Sequence, residues 1–298
     1  MGIGRLTRLG GGAALVVAVL AGCGGPSQVG SAMIVGDRTV ALADVQSSID
    51  LALTHRGDIA AQAGQEIADA DISRYVVSRE TTHELLAAAA ERDGITVGED
   101  AVDAALANQD DQGLRLDRIL FTGDALRESA RDREIAIALA ERYVDRLAVT
   151  VDVAAATSRA EADTKARALA AGGAEAERVL ADPRSAQAGQ TYRAASDPDS
   201  ATTVVFGVPA GSVVSFQPSP GQGFWLVVRV NERSTDAAGD GAPAGGTIDR
   251  STLASIGQRL AQPDAGPVEV NPRFGVWDPV RMAVVAAGQE SGTVLSGS

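Results

Sequence analysis

Cysteine, histidine, lysine and aromatic residues are scarce in this sequence. One cysteine is present, Cys23, so no intrachain disulfide can form. Aromatic residues make up 3% of the chain and hydrophobic residues 45%, so a packed core has to be built mainly from Ala, Val, Leu and Ile. The length of 298 residues suits one to three domains.

Histidine is limited to two positions, His55 and His83, both in segments predicted to be helical. With two separated histidines and one cysteine, the sequence lacks the residues for a zinc site or for a Cys–His or Ser–His pair. His55 lies in the last turn of its predicted helix, where an imidazolium is favoured by the helix dipole, and His83 is predicted to be solvated. A magnesium or calcium site made of carboxylates alone stays open, although residues 109–113 (QDDQG) lack the alternating ligands of an EF-hand loop. We expect no cofactor and no metal.

Acidic residues outnumber basic ones by 39 to 26, and the formal net charge is −13. The pairs Glu128/Asp132 and Glu141/Asp145 have helical spacing and are predicted to be solvated helix faces. Because an acidic surface repels phosphate backbones, nucleic acid is not expected as a partner. Lys165 is the one lysine among the basic residues, and this preference for arginine, with abundant Ala and Gly, suggests a GC-rich genome such as that of an actinobacterium.

The first residues have the features of an export signal. Arg5 and Arg8 form a positive n-region, and residues 13–20 (AALVVAVL) form an apolar h-region too short for a spanning helix. Residues 20–23 (LAGC) resemble the lipobox of bacterial lipoproteins, in which the cysteine thiol is diacylated before cleavage on its N-terminal side. The resemblance implies that Cys23 carries acyl chains such as palmitate. The alternative is an ordinary secretory signal with a coincidental cysteine.

Acylation would make Cys23 a membrane anchor and not a nucleophile. Two or more acyl chains give stable anchoring at ~0.8 kcal/mol per buried methylene. Removal of residues 1–22 takes away two arginines and lowers Lys+Arg from 26 to 24 against 39 Asp+Glu, which gives a net charge of −15. We therefore expect a lipoprotein on the extracytoplasmic face of the cell membrane, held by its lipid because anionic headgroups repel its acidic body.

Hydrophobic spacing predicts a helical first half. After a tether at residues 23–31, residues 33–40 (MIVGDRTV) predict a hairpin with Gly36 and Asp37 at its turn. Gly94 is expected to end a long helix as a C-terminal glycine. Helices are predicted at residues 43–55, 65–92, 99–108 and 124–147.

The pattern changes at Ala148, where strands begin to alternate with short helices. Ser158 and Glu161 form a capping box at the start of a helix. The pattern predicts strands at residues 148–156, 213–217 and 224–230, and helices at residues 158–171, 174–180 and 248–260. Residues 182–200 predict a polar loop, residues 234–246 a linker, and residues 286–298 a loose tail.

Three segments, in this order, resemble the SurA/PrsA type of extracytoplasmic foldase. Residues 34–44 (IVGDRTVALAD) are similar to the family's opening hairpin and helix start, and residues 85–107 to its helix, glycine-terminated turn and second helix. Residues 150–233 resemble a parvulin domain, with FGVPAGSVV and GFWLVVRVNER matching its last strands. The closing VEVNPRFGVWD is similar to the end of actinobacterial relatives.

The resemblance implies an α+β fold in two parts. Residues 32–147 would form a SurA N-terminal-like helical domain, completed by a C-terminal helix and strand at residues 247–285, and residues 148–233 a parvulin-like domain. In the family the helical part cradles extended polypeptide, and the parvulin domain lowers the ~20 kcal/mol barrier to X-Pro rotation. The parvulin site uses a histidine on the first strand, another on the last, a polar residue between them, and a Met/Phe pocket.

This sequence departs from the family at that site. Alignment of GFWLVVRV with the family's last strand places Leu226 at the histidine position. The first-strand histidine falls on Ala154 or Ala155, and the pocket phenylalanine falls near Ala201. A leucine can neither donate a hydrogen bond nor change charge, so the parvulin-like domain is predicted to be degenerate and without catalytic residues.

We therefore expect a lipid-anchored chaperone that binds unfolded or extended segments of exported proteins, with a groove between the N-terminal helices and residues 268–277. Candidates for client contact are Phe206, Phe216, Trp225 and Trp277, although a core position is the commoner role of such aromatics. Two alternatives stay open. One is an active parvulin-type peptidyl-prolyl cis-trans isomerase that works through a shaped apolar pocket, and the other is a structural or scaffold lipoprotein with one dedicated partner.

Overall fold

The computed structural model describes residues 30–219, 223–239 and 247–297. The predicted signal segment, Cys23 and most of the tether lie outside these residues, as do residues 240–246 of the predicted linker. Within the described ranges, no helix combines the length and the apolar character needed to cross a bilayer.

A hairpin and a series of helices make up the N-terminal part. The bounds are β1 (Ser31–Val35), β2 (Arg38–Ala41), α1 (Leu42–Thr54), α2 (Arg56–Ala63), α3 (Asp69–Asp93), α4 (Glu99–Ala107), α5 (Asp117–Leu120) and α6 (Gly123–Tyr143). The long helix α3 buries one face, with Ile72, Val76 and Leu85 among its members. It ends where Gly94 takes a left-handed φ of 63°, a conformation that glycine adopts without steric cost. The predicted end of this helix is confirmed.

Strands alternate with short helices in the middle of the chain. The bounds are β3 (Ala148–Ala156), α7 (Arg159–Ala171), α8 (Gly173–Leu180), β4 (Ala186–Arg193), α9 (Pro198–Ala201), β5 (Ser212–Phe216) and β6 (Trp225–Ser234). Helix α7 begins as predicted, because Ser158 Oγ accepts a 3.2 Å hydrogen bond from the backbone N–H of Glu161. The Glu161 carboxylate in turn accepts a 2.8 Å bond from the N–H of Thr157.

One helix and four short strands form the C-terminal part. The bounds are α10 (Arg250–Ala261), β7 (Val268–Val270), β8 (Val276–Asp278), β9 (Ala283–Val285) and β10 (Gly292–Ser296). Helix α10 packs on α6 with little room between the backbones. A Cβ built on Gly257 of α10 would lie 1.8 Å from the carbonyl oxygen of Ala136 on α6. The absence of a side chain at Gly257 therefore permits this close approach.

The strands belong to three antiparallel sheets, with the orders β2-β1-β7, β10-β5-β6-β3-β4 and β8-β9. In the first sheet, β1 lies between its hairpin partner and β7, so the C-terminal part completes the N-terminal sheet. Asn271, just after β7, adds a 2.9 Å hydrogen bond from its Nδ2 to the carbonyl of Ser31.

The five-stranded sheet has a hydrophobic cluster on each face. Val227 packs in a small cluster with α7 and α8, whereas Val228, the next residue of β6, belongs to a larger cluster. This alternation is that of a strand buried on both faces. The larger cluster also contains Leu85 of α3 and Leu139 of α6, so the sheet and the N-terminal helices share one core.

The architecture is α+β, as predicted. Two predictions about individual segments are wrong. Residues 182–200 were expected to be a loop but contain β4, an edge strand whose side chains are mostly exposed and which therefore needs no hydrophobic alternation. Residues 286–298 were expected to be a loose tail but contain β10, which pairs with β5 from Gly292 opposite Phe216 to Ser296 opposite Ser212.

Candidate functional site

The positions that the family resemblance assigns to the two histidines lie next to each other. Ala155 on β3 is directly opposite Leu226 on β6, whereas Ala154 is opposite Val227. Directly opposite residues share a face of the sheet, and Leu226 is also opposite Phe216 on β5. Of the two first-strand candidates, Ala155 therefore shares a face of the sheet with Leu226.

Neither member of this pair has a side chain that can exchange a proton. Leu226 is half-buried and packs against the larger core cluster. The backbone carbonyl of Ala155 accepts a 2.6 Å hydrogen bond from Lys165 Nζ. Ala201 is fully buried in α9, so the position expected for a pocket phenylalanine holds only a methyl group.

A cavity of about 510 Å³ lies where this sheet meets α9, α10 and the C-terminal part. Phe216 and Trp225 contribute its aromatic surface, and Arg259 of α10 its most buried cation. The full lining is Arg159, Thr202, Thr203, Val204, Phe216, Gln217, Pro218, Trp225, Arg259, Val280, Arg281, Gln289, Glu290 and Ser291. The last five lie in residues 279–291, between β8 and β10, a segment we call the C-terminal strap.

Arg259 holds the start of the C-terminal strap. Its Nη1 donates to the carbonyl of Pro279 at 2.8 Å and its Nη2 to that of Val280 at 2.7 Å. Its Nε donates to the carbonyl of Thr202 at 2.7 Å, so one guanidinium joins the strap to the segment after α9. Burial lowers the pKa of Arg259 to about 10, and the side chain is therefore still charged at neutral pH.

Asp278 ties the two ends of the C-terminal strap together. It is fully buried, and its Oδ1 accepts a 2.9 Å bond from the N–H of Val280 while its Oδ2 accepts a 2.7 Å bond from the N–H of Ser291. Outside the strap, Arg159 Nη1 donates to the carbonyl of Glu290 at 3.0 Å, and its guanidinium lies 5.7 Å from the centre of the Trp225 ring. The side chains of Arg259, Asp278 and Arg159 thus bond to backbone groups of the strap and hold it at the cavity.

The four predicted client-contact residues have different environments. Phe206 is 1% exposed and lies in the larger core cluster, so its ring offers no surface to a client. Phe216 and Trp225 are also buried but line the cavity under the strap, and Trp277 is half-buried. Phe224, the residue before Trp225, is 41% exposed.

An apolar cleft of about 500 Å³ lies among α2, α3 and α5, and we call it the helical groove. Ile67, Leu116 and Ile119 are half-buried in it and present apolar side chains to its opening. Its full lining is Ile59, Gln62, Ala63, Ile67, Asp71, Ile72, Tyr75, Gln112, Arg115, Leu116, Ile119 and Leu120. Polar side chains, among them Asp71 and Arg115, stand among the apolar ones.

The predicted groove location at residues 268–277 differs from that of the described cavities. Residues Val268–Val270 are paired with β1, with Val270 opposite Met33, so their backbone is engaged in a sheet. The helical groove is formed instead by three helices whose lining residues are far apart in sequence, which hydrophobic periodicity within one helix does not reveal.

A polar cavity of about 490 Å³ lies between α3, α6 and the strand β9. Tyr75 Oη donates a 2.5 Å hydrogen bond to Asp117 Oδ1, and burial raises the pKa of both side chains. Arg79 Nε donates to Ser129 Oγ at 2.7 Å. Ser78 Oγ accepts a 2.7 Å bond from the N–H of Val284 and thereby joins β9 to α3. These polar groups of the cavity thus bond to one another, whereas the buried Nε of Arg74, which also lines it, has no partner among the described residues.

His83 and Asp132 form an ion pair beside this cavity, so the prediction that both are solvated is wrong. His83 Nδ1 lies 2.9 Å from Asp132 Oδ1, and Nε2 lies 3.5 Å from Glu128 Oε1. Asp132 is 8% exposed. The hydrogen bond with Asp132 raises the pKa of His83 to about 9 against the opposing effect of burial, so the imidazole is protonated at neutral pH.

The other predicted polar sites have structural surroundings. Asp111, within QDDQG, accepts a 2.9 Å bond from the N–H of Gly113 and is ion-paired with Arg133. Glu141 and Asp145 are exposed. His55 Nδ1 lies 3.5 Å from Asp58 Oδ2 between α1 and α2. Across residues 30–219, 223–239 and 247–297, no three His, Cys, Asp or Glu side chains are grouped to hold a metal ion.

Comparisons with known proteins give limited similarity. No family model matches the chain, and no curated protein matches it. Eight chains of solved structures match, among them the foldase protein PrsA from Lactococcus lactis in a 3.10 Å crystal structure. The two chains are 13% identical, 78% of this chain and 85% of PrsA are covered, and the TM-score is 0.23.

Proposed function

We propose that this protein is a lipid-anchored, extracytoplasmic chaperone of the foldase type that binds unfolded or extended segments of exported polypeptides without catalysing proline isomerisation. The observation that carries the proposal is the helical groove. Ile67, Leu116 and Ile119 present apolar surface there beside the charged side chains of Asp71 and Arg115. Apolar surface rimmed by polar residues is typical of sites that bind other polypeptides.

The absence of catalysis is inferred from the pair Ala155 and Leu226. Their positions are opposite each other, which fits the family's use of a histidine on the first strand and another on the last. The side chains present there cannot donate to an imide or change charge. In addition, Arg259 and Asp278 hold the C-terminal strap across the neighbouring cavity, which restricts access to Phe216 and Trp225.

The acidic charge of the chain supports a preference for clients with basic stretches. The formal net charge is −13 for the whole sequence and becomes more negative if residues 1–22 are removed. Attraction between exposed charges falls off over a Debye length of about 10 Å at 0.1 M salt. Binding of basic clients is therefore expected to weaken as salt is added, and binding indifferent to salt would remove this part of the proposal.

Anchoring through Cys23 is supported by the lipobox-like LAGC and the apolar segment before it. Metabolic labelling with a fatty acid is expected to label the protein with its natural sequence and not the Cys23→Ser variant. Labelling that survives Cys23→Ser would contradict the anchor.

The binding function is tested with the chain from residue 23 carrying Cys23→Ser, which keeps it soluble. It is expected to suppress aggregation of an unfolded, positively charged protein, and Leu116→Gln in the helical groove is expected to weaken the suppression at least fivefold. Leu51→Gln is the matched control, because Leu51 is 44% exposed and does not line the groove. Equal suppression by both variants, or none by the parent, would contradict the proposal.

Isomerisation of a short X-Pro peptide by the same protein distinguishes the two other functions. We expect the uncatalysed rate. Leu226 has no hydrogen-bond donor that could lower the ~20 kcal/mol barrier to X-Pro rotation. Acceleration that is lost in Trp225→Ala would favour an active isomerase. Failure of both assays, together with one stoichiometric partner in a pull-down, would favour a scaffold lipoprotein.

A further inference from the structure

The strand β10 is the outermost strand of the five-stranded sheet and, among the described strands, pairs only with β5. β5 is already paired with β6, and β10 adds to its outer side in five antiparallel pairs. The strand begins directly after the C-terminal strap, whose last residue, Ser291, is held by Asp278. The connection to the folded body therefore persists whether or not β10 is paired.

The contacts of β10 show what the β5 edge accepts. Gly292 lies where a Cβ would be 2.1 Å from the carbonyl oxygen of Ser215, so the first position admits only glycine. Val294 packs toward the larger core cluster and Leu295 toward the smaller one, as side chains of one strand alternate between faces. The residues of β10, GTVLS, carry no charge. An uncharged extended segment with two aliphatic side chains after a glycine fits this edge.

β5 also has an unsatisfied polar group under this strand. Ser215 is fully buried, and its Oγ has no hydrogen-bond partner among the described residues. Thr293 lies opposite Ser215. A buried hydroxyl without a partner costs on the order of 1 kcal/mol or more.

β10 itself is held by few side chains. It has five residues, its side chains from Thr293 onward are half-buried or exposed, and it packs on β5 and α7. Beyond it, the N–H of Gly297 donates a 2.8 Å bond to the carbonyl of Gly211. Short elements with little buried surface open locally at lower free energy than the core around them.

We propose that the outer edge of β5 is a strand-addition site for an extended, uncharged polypeptide segment, and that β10 is its resident occupant, which an incoming segment displaces. Backbone hydrogen bonds of the added strand supply affinity, and the alternating aliphatic positions supply selectivity. The inference rests on the proposed function and deepens it, because it names the kind of client segment and a contact within the chain that regulates its access.

The test uses a fluorescent peptide with the sequence of residues 289–297, QESGTVLSG, and measures its binding by anisotropy to the soluble Cys23→Ser chain. Gly292→Ala alters the occupant and leaves β5 unchanged, and its methyl group would clash with the Ser215 carbonyl. In the parent, β10 occupies the β5 edge, so only the fraction of molecules with β10 displaced can bind the peptide. Gly292→Ala is therefore expected to bind the peptide at least tenfold more tightly than the parent. Gly223→Ala is the matched control, since a Cβ there meets nothing within 4 Å, and it should bind like the parent.

A disulfide lock tests the same edge from the other direction. Ser215→Cys with Thr293→Cys places two thiols on directly opposite residues, a separation that suits a disulfide. The oxidised protein is expected to lose peptide binding, and reduction should restore the parent's affinity. Equal binding by the parent, Gly292→Ala and the oxidised protein would overturn the proposal, because the peptide would then bind elsewhere.

Hydrogen exchange is measured on the soluble Cys23→Ser chain with β5 and β10 unaltered. This test therefore needs no substitution in the sheet that might cause misfolding. Saturating peptide is expected to speed exchange in residues 292–296 by at least tenfold while β5 stays protected. Unchanged protection of residues 292–296 at saturation would overturn the proposal. These readouts are independent of aggregation, so failed suppression of aggregation together with peptide exchange at β5 would count against the chaperone function and in favour of the strand-addition site.

Discussion

Ala155 on β3 faces Leu226 on β6 directly across the five-stranded sheet. The family resemblance assigns a histidine to each position. Here Leu226 packs against the larger core cluster, and Ala155 is half-buried with only a methyl side chain. The interaction between them is therefore one of packing, and the sheet keeps its register without polar groups at this point. This relationship predicts that changes at Leu226 affect stability rather than chemistry.

Leu226→Ala is expected to lower the free energy of unfolding by about 2 kcal/mol, because a half-buried leucine loses part of its core contact. The rate of X-Pro isomerisation should stay at the uncatalysed value in both proteins. Urea unfolding and a peptide isomerisation assay measure the two effects. Phe224→Ala, two residues away at an exposed ring, is the control and should cost less than about 0.5 kcal/mol. A change in isomerisation rate without a change in stability would contradict the interpretation.

Arg259→Met is expected to destabilise the protein by about 3 kcal/mol, since three backbone carbonyls lose a charged hydrogen-bond donor. Two of them, those of Pro279 and Val280, start the C-terminal strap. Limited proteolysis should therefore cut the strap faster in this variant. Arg281→Met is the control, because Arg281 lies on the strap but is exposed. Similar losses in both variants would show that Arg259 does not hold the strap.

Local sequence signals predicted several elements of the fold. The capping pair Ser158 and Glu161 and the helix end at Gly94 depend on residues within one turn of each other, and the structure has both. The strand in GFWLVVRV was also predicted, from its run of aromatic and β-branched residues, and the structure has β6 there. Each of these features is determined by neighbours in sequence.

Features that depend on distant residues were not predicted. His83 and Asp132 are 49 residues apart, and only the packing of α3 against α6 brings them together. The strand β10 has five residues and becomes ordered through pairing with β5, which its composition does not reveal. The helical groove is likewise shared among three helices. Tertiary contacts, and not local propensity, determine these parts of the site.

The His83–Asp132 pair predicts a dependence of stability on pH. The hydrogen bond to Asp132 raises the pKa of His83 from 6.5 to about 9 in the folded protein. A raised folded pKa means that the pair stabilises fully below pH 6.5 and that its contribution is lost as pH rises toward 9. We expect the unmodified protein to lose about 2 kcal/mol of stability relative to His83→Gln over this range, after allowance for partial screening.

Titration of the two imidazoles by NMR checks this directly. His55→Gln identifies the His83 signal, because the chain has two histidines. Asp132→Asn is expected to lower the pKa of His83, since the hydrogen bond with the Asp132 carboxylate is the main cause of the shift. A His83 pKa near its ordinary value in the unmodified protein would show that the ion pair does not persist in solution.

The contact between Gly257 and Ala136 predicts opposite effects of two glycine substitutions. Gly257→Ala is expected to destabilise the protein by roughly 3 kcal/mol, because its Cβ would meet the Ala136 carbonyl oxygen and force α10 away from α6. Gly57→Ala in α2 has open space around the added methyl group and should stabilise by about 0.5 kcal/mol through helix propensity. Thermal unfolding of both variants measures the difference. Since α10 carries Arg259, separation of α10 from α6 should also loosen the C-terminal strap, and a stable Gly257→Ala protein with an unchanged strap would contradict this packing.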